Sequence, residues 1–203
     1  MPLQVKMPIS IDDKRPTTRH FLDRRRFLKL AAAAMSYPLV ARLACFASTE
    51  ALPATPPDRA LSFFNTHTFE SAAIEYCLAG CLVAQSLEKI NHILRDHRSG
   101  EVKSIDVRLL DLLHALAGKL GLDQPFHVIS GYRSQRTNTL LRARLRGVAR
   151  HSYHILGQAV DIRVPGLPVS ELYRAARSLE GGGVGRYPRS NFVHVDVGPV
   201  RTW

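Results

Sequence analysis

Ser152-Tyr153-His154-Ile155-Leu156-Gly157-Gln158-Ala159-Val160-Asp161 is the segment from which this chain is best read. It holds an imidazole and a carboxylate seven positions apart, with Gly157 between them to let the backbone turn. Residues 160–164 alternate apolar and polar, which predicts a strand. A second alternating run, 191–197, carries His194 and Asp196 two positions apart, so their side chains share one strand face. If these strands pair, His154, Asp161 and His194 meet. A catalytic zinc takes about three such protein ligands and keeps one position for water. The chain has nine histidines, so spacing alone leaves ordinary core or surface histidines as the competing reading.

Outward from this pattern, residues 125–130 read as another strand, broken by Gly131, and 135–144 as a short helix. Residues 170–179 read as a helix ended by Gly181-Gly182-Gly183. Upstream, Asp106 caps a helix running through Lys119 and closed by Gly121. Its buried side is Leu109, Leu110, Leu112, Leu113, Leu116 and Leu120. Residues 82–95 show the 3–4 spacing of an amphipathic helix, and 61–65 with 69–76 fit a hairpin. Helices first and strands later predict an α+β fold, a small antiparallel sheet with helices packed around it. Cys77 and Cys81 read either as a pair in an oxidising compartment or as small packing residues.

The same residues carry a family resemblance. Ser-x-His-x-x-Gly-x-Ala-x-Asp, here Ser152 to Asp161, resembles the zinc-binding signature of D-alanyl-D-alanine carboxypeptidase-type peptidases, which share a fold with the hedgehog signalling domain. Ser130-Gly131-Tyr132-Arg133-Ser134 matches the segment found upstream of the ligand in those enzymes. Gly182-Gly183-Val184-Gly185, then Phe192-Val193-His194-Val195-Asp196 and Trp203, is similar to the murein endopeptidase K group. The similarity covers residues 60–203.

The resemblance implies that His154, Asp161 and His194 bind Zn2+. It implies that Arg133 aims its guanidinium at the scissile carbonyl or a substrate carboxylate, with a structural salt bridge as the other reading. Ser152 and Tyr132 are implied substrate contacts, although Ser152 equally suits a turn-stabilising role. Many relatives have an acid three residues before the last histidine ligand; here that position is Asn191, which cannot take a proton from water. Asp196 is the nearest acid and the candidate general base, or else it orients a ligand imidazole. His151 reads as a surface residue.

The chain has 203 residues, room for one domain with a real core. Lys and Arg number 28 against 17 Asp and Glu, a net charge of +11. Residues 1–47 hold nine of the basic residues and three acids, so residues 48–203 retain 19 and 14, a net of +5. Arg24-Arg25-Arg26-Phe27-Leu28-Lys29, an apolar stretch over 30–41, and small residues near Ala47-Ser48 resemble a Tat export signal. Lipidation at Cys45 is the alternative processing. The expected organisation is a signal over 1–47, a proline-containing linker over 48–60, and a zinc peptidase domain over 61–203.

Arg133, Arg136, Arg142, Arg144, Arg146 and Arg150 form a basic run that suits either an anionic wall polymer or simple solvation. No aromatics interleave with it, which argues against nucleic acid as partner. No apolar run reaches the ~18 residues of a membrane span. The export signal and the family resemblance together imply an exported, periplasmic or envelope enzyme: a zinc-dependent murein endopeptidase cutting peptide cross-links of peptidoglycan. A D-alanyl-D-alanine carboxypeptidase and a zinc-stabilised wall-binding module are the alternatives.

Overall fold

Asp106 begins the central helix as its sequence predicts: the carboxylate accepts the Arg108 N–H, and Gly121 closes the far end in the left-handed conformation (φ 59°). In this computed structural model, which describes residues 57–144 and 148–203, that helix is α2 (Val107–Leu120). Leu109, Leu110, Leu113 and Leu116 are fully buried, while Leu112 and Leu120 lie at the margin of the core. Two β-strands precede it, β1 (Arg59–Asn65) and β2 (Ser71–Leu78), then the short β3 (Cys81–Leu82) and helix α1 (Ala84–Ile93). The predicted hairpin is β1–β2, and it starts early: Arg59 and Ala60, assigned to the linker by sequence, already pair with Cys77 and Glu75. The signal segment and residues 48–56 lie outside the described residues.

Beyond α2 come β4 (Phe126–Ser130), α3 (Gln135–Arg144), β5 (Ala159–Arg163), α4 (Val169–Arg177), β6 (Gly183–Tyr187), β7 (Phe192–Asp196) and β8 (Arg201–Thr202). All eight strands form one sheet in the order β3-β2-β1-β4-β5-β7-β6-β8. The α+β class holds, but the sheet is larger than expected and mixed, because β1–β4 and β6–β8 are parallel. The cause is connectivity. The chain crosses through α1 and α2 between β2 and β4, and a helical crossover lets β4 return alongside β1 in the same direction. A period-2 pattern reports a strand's faces and leaves its neighbours unspecified.

Helix α4 ends at Arg177, short of the glycine run 181–183 expected to close it, and that run leads into β6. The glycines of β6 serve close approach: a Cβ on Gly185 would lie 2.5 Å from the Trp203 ring, and one on Gly183 2.5 Å from Asp196 Oδ2. At the opposite edge, Cys77 opposes Leu82 and Leu78 opposes Cys81. The two cysteines therefore face opposite sides of the sheet, one buried and one exposed, and both are free thiols.

Candidate metal centre

Register brings the chemistry together. Ser130 of β4 pairs with Asp161 of β5, Asp161 pairs with His194 of β7, and His194 pairs with Gly185 of β6. These residues form one row across the middle of the sheet, so the Asp161 and His194 side chains project from the same face. Val160 and Ile162 point the other way into the core.

His154 arrives from outside the sheet, on a 3-10 turn over Tyr153–Leu156. The Ser152 hydroxyl caps that turn by accepting the His154 N–H at 3.3 Å. Gly157 ends it at φ 70°, where a Cβ would lie 2.4 Å from the Ser104 carbonyl oxygen. The turn is pinned to the start of α2, since Asp106 N–H donates to the Gly157 carbonyl at 3.0 Å and Gln158 Nε2 donates to the Asp106 carboxylate at 3.0 Å.

His154, Asp161 and His194 are all buried, and one ligand atom from each lies within 4.8 Å of the others, a group that could hold a metal ion. His154 Nε2 is 3.2 Å from His194 Nδ1 and 3.3 Å from Asp161 Oδ1, and His194 Nδ1 is 2.8 Å from Asp161 Oδ1. Bonds of ~2.0–2.1 Å at tetrahedral angles place donor atoms ~3.3 Å apart, so the spacing fits a small cation.

Proton accounting reaches the same point. His154 Nδ1 sits 2.7 Å from the Gly131 carbonyl oxygen, which can only accept, so that nitrogen carries hydrogen. His194 Nε2 sits 3.0 Å from the Asp196 carboxylate and likewise donates. The inner nitrogens of both rings thus turn lone pairs toward a shared carboxylate oxygen, and the surroundings favour one positive charge there, a proton or a metal.

The titration shifts agree. Burial alone would raise the Asp161 carboxyl, but His154, His194 and Arg133 together hold it far below the ordinary range. Burial, with the Arg133 charge, pushes His154 down and keeps it neutral against the pull of Asp161. Burial also acts to lower His194, yet the Asp161 and Asp196 carboxylates outweigh it and raise the ring.

Each remaining site residue has a definite place. Arg133 donates from Nε to Ser130 Oγ at 2.8 Å and from Nη2 to Asp161, forming an ion pair on the wall of the site. Asp196 is fully buried and saturated with donors: Gly183 N–H, Gly198 N–H, His194 Nε2 and both Nη groups of Arg201. The site opens into a cavity of about 900 Å³ whose walls include Arg133, Ser152, His151, Tyr153, Tyr187 and Trp203. Trp203 Nε1 donates to Tyr187 Oη at 2.8 Å, and its ring lies 5.3 Å from His194.

A model of the family described as peptidoglycan L,D-endopeptidase MepK matches residues 53–203. The chain belongs to this family. It is similar to peptidoglycan L,D-endopeptidase MepK of Escherichia coli K12, 45% identical over 181 residues that cover 89% of this chain and 97% of the relative. It is also similar to the probable peptidoglycan L,D-endopeptidase MepK of Haemophilus influenzae, 40% identical over 182 residues covering 89% and 95%.

In this MepK-family chain, two expected positions fall elsewhere. Tyr132 does not line the cavity; it is buried in the core beneath the Lys103 ammonium. Asn191, in the left-handed conformation after a 3-10 turn, borders a separate hollow with His127 and Arg163. Sequence reasoning missed Arg201, which grips Asp196 from a two-residue strand, and Arg98 on the cavity wall. Neither lies in a periodic or motif-bearing segment, so nothing local marked them.

Proposed function

We propose that this chain is a zinc-dependent endopeptidase that hydrolyses peptide cross-links of peptidoglycan, with the L,D specificity that its relatives' names carry. The supporting observation is the convergence of His154 Nε2, His194 Nδ1 and Asp161 Oδ1, with both outer nitrogens already tied to acceptors. His154, Asp161 and His194 would hold the zinc, which would supply Lewis acidity at this end of the cavity.

The rest is the work of the chain's own groups. His154 and His194 are held in one tautomer by the Gly131 carbonyl and by Asp196, so no reorientation accompanies metal binding. Arg133 keeps Nη1 without a partner among the described residues, available to the carbonyl oxygen of the scissile peptide as charge develops there. Ser152 stabilises the turn that delivers His154, and its place on the wall keeps it within reach of substrate.

We assign Asp196 to orienting His194 instead of acting as the base. Its oxygens are fully buried and filled by donors, and its carboxyl is held well below the ordinary range once His194 and Arg201 offset the cost of burial. His151, exposed on the cavity wall three residues before His154, is the group we assign to proton transfer.

Export to the envelope through the twin-arginine segment Arg24-Arg25-Arg26-Phe27-Leu28-Lys29 places such an enzyme with its substrate.

The test is mass spectrometry of muropeptides after incubation with zinc-loaded protein, with His154→Ala as control. Loss of cross-linked dimers without alanine release supports endopeptidase action. Alanine release from monomers would favour a carboxypeptidase, and sacculus binding without any cleavage would favour a wall-binding module. Cleavage that persists in a strong chelator would overturn the metal reading.

A further inference from the structure

Asp96 is a buried carboxylate outside the metal cluster, and its two oxygens go to two different loops. Oδ1 accepts the Arg98 N–H at 3.0 Å, and Oδ2 accepts the Ser134 N–H at 2.9 Å. The first loop is closed on itself by Asp96 N–H to Glu101 O at 3.0 Å and Gly100 N–H to Asp96 O at 2.8 Å. One side chain therefore sets the spacing between Arg98 and Arg133, whose side chains line the same cavity.

The charges there do not balance. Arg133 is already paired with Asp161, and Arg201, which also lines the cavity, is paired with Asp196. Arg98 has no carboxylate within ion-pair distance among the described residues. Arg133 and His67 line the cavity with it, and the His67 ring stacks on that of His97, centroids 3.8 Å apart. Partial burial and the Arg133 charge both act against the Arg98 cation, while only Asp96 supports it. Arg98 is thus a guanidinium on the wall of this cavity with no carboxylate to pair with, and its planar fork of donors suits an oxyanion.

We propose that Arg98, set beside Arg133 by Asp96, forms a subsite that binds a free carboxylate of the peptide substrate. This rests on the peptidase reading above and adds a specificity element to it.

The test compares wild type, Arg98→Gln and Arg98→Lys on a cross-linked muropeptide with free carboxylates and on its carboxamide counterpart. Arg98→Gln is expected to raise KM about tenfold or more on the carboxylate substrate. Its kcat should stay within about twofold, and the carboxamide substrate should be affected little. Arg98→Lys should restore part of the loss, since it keeps the charge and lacks the planar fork. Arg177→Gln, at the exposed end of α4, serves as a charge-matched control that leaves both substrates unchanged. An unchanged KM, or equal losses on both substrates, would overturn the subsite.

If the wild type cuts neither substrate, the peptidase reading has failed, and calorimetric binding of the same two muropeptides decides the subsite alone. Tighter binding of the carboxylate form that disappears in Arg98→Gln supports it. Equal binding of the two forms overturns it.

Discussion

His194 is held from both sides, by Asp161 at Nδ1 and by Asp196 at Nε2, and Asp196 is itself gripped by Arg201 through both Nη groups. On the proposed reading this chain of contacts fixes which nitrogen faces the metal. Asp196→Asn is expected to weaken zinc binding by about 10- to 100-fold, measured by competition with a chelator. An unaltered affinity would remove the orienting role.

A second residue-scale prediction concerns His97, lowered from 6.5 to about 4 chiefly by burial, with Arg98, His67 and Arg133 adding to the effect and Asp96 opposing it. The folded state keeps this ring neutral, whereas the unfolded chain protonates it near 6.5. Its stabilisation is thus complete above that value and is lost as pH falls from 6.5 toward about 4. Denaturant midpoints measured across this window should fall more steeply for wild type than for His97→Asn. Parallel curves would show that His97 contributes nothing.

At the scale of elements, the turn that carries His154 depends on the start of α2. Gly157 combines a positive φ with a backbone approach that leaves no room for a methyl group next to Ser104. Gly157→Ala should therefore cost about 2–3 kcal/mol of unfolding free energy, read from denaturant curves, and weaken metal binding as the turn shifts. A variant as stable as wild type would mean that the turn relaxes freely. The same elements explain what was legible locally. Asp106 and Gly121 bracket α2 as capping chemistry requires, and α3 spans the residues that its sequence predicts. β6 was not legible, because its glycines answer to Trp203 and Asp196, which are distant in sequence.

Across the whole molecule, the site sits on a mixed sheet that buries one face against α2 and α4 and leaves the row Ser130, Asp161, His194 facing the cavity. No helix among the described residues is long and apolar enough to cross a membrane. A metal bound by buried residues from a turn and two strands ties those elements together in the folded state only. Zinc at a hundred times its Kd should stabilise the fold by about 2.7 kcal/mol. Calorimetry with and without chelator checks this, and an unchanged Tm would place the metal elsewhere or nowhere.

The sequence by itself determined the caps of α2, the alternating strands, and the pattern from Ser152 to Asp161 with His194 beyond it. These depend on local periodicity and on residue types within a few positions of one another. Tertiary structure decided the rest. Register set Asp161 opposite His194, a helical crossover made β4 parallel to β1, and packing turned Tyr132 into the core. It also saturated Asp196 with donors and placed Arg98 beside Arg133 through Asp96. A strand's pattern names the face it buries, but its neighbours and the donors that reach a carboxylate depend on contacts closed across long stretches of chain.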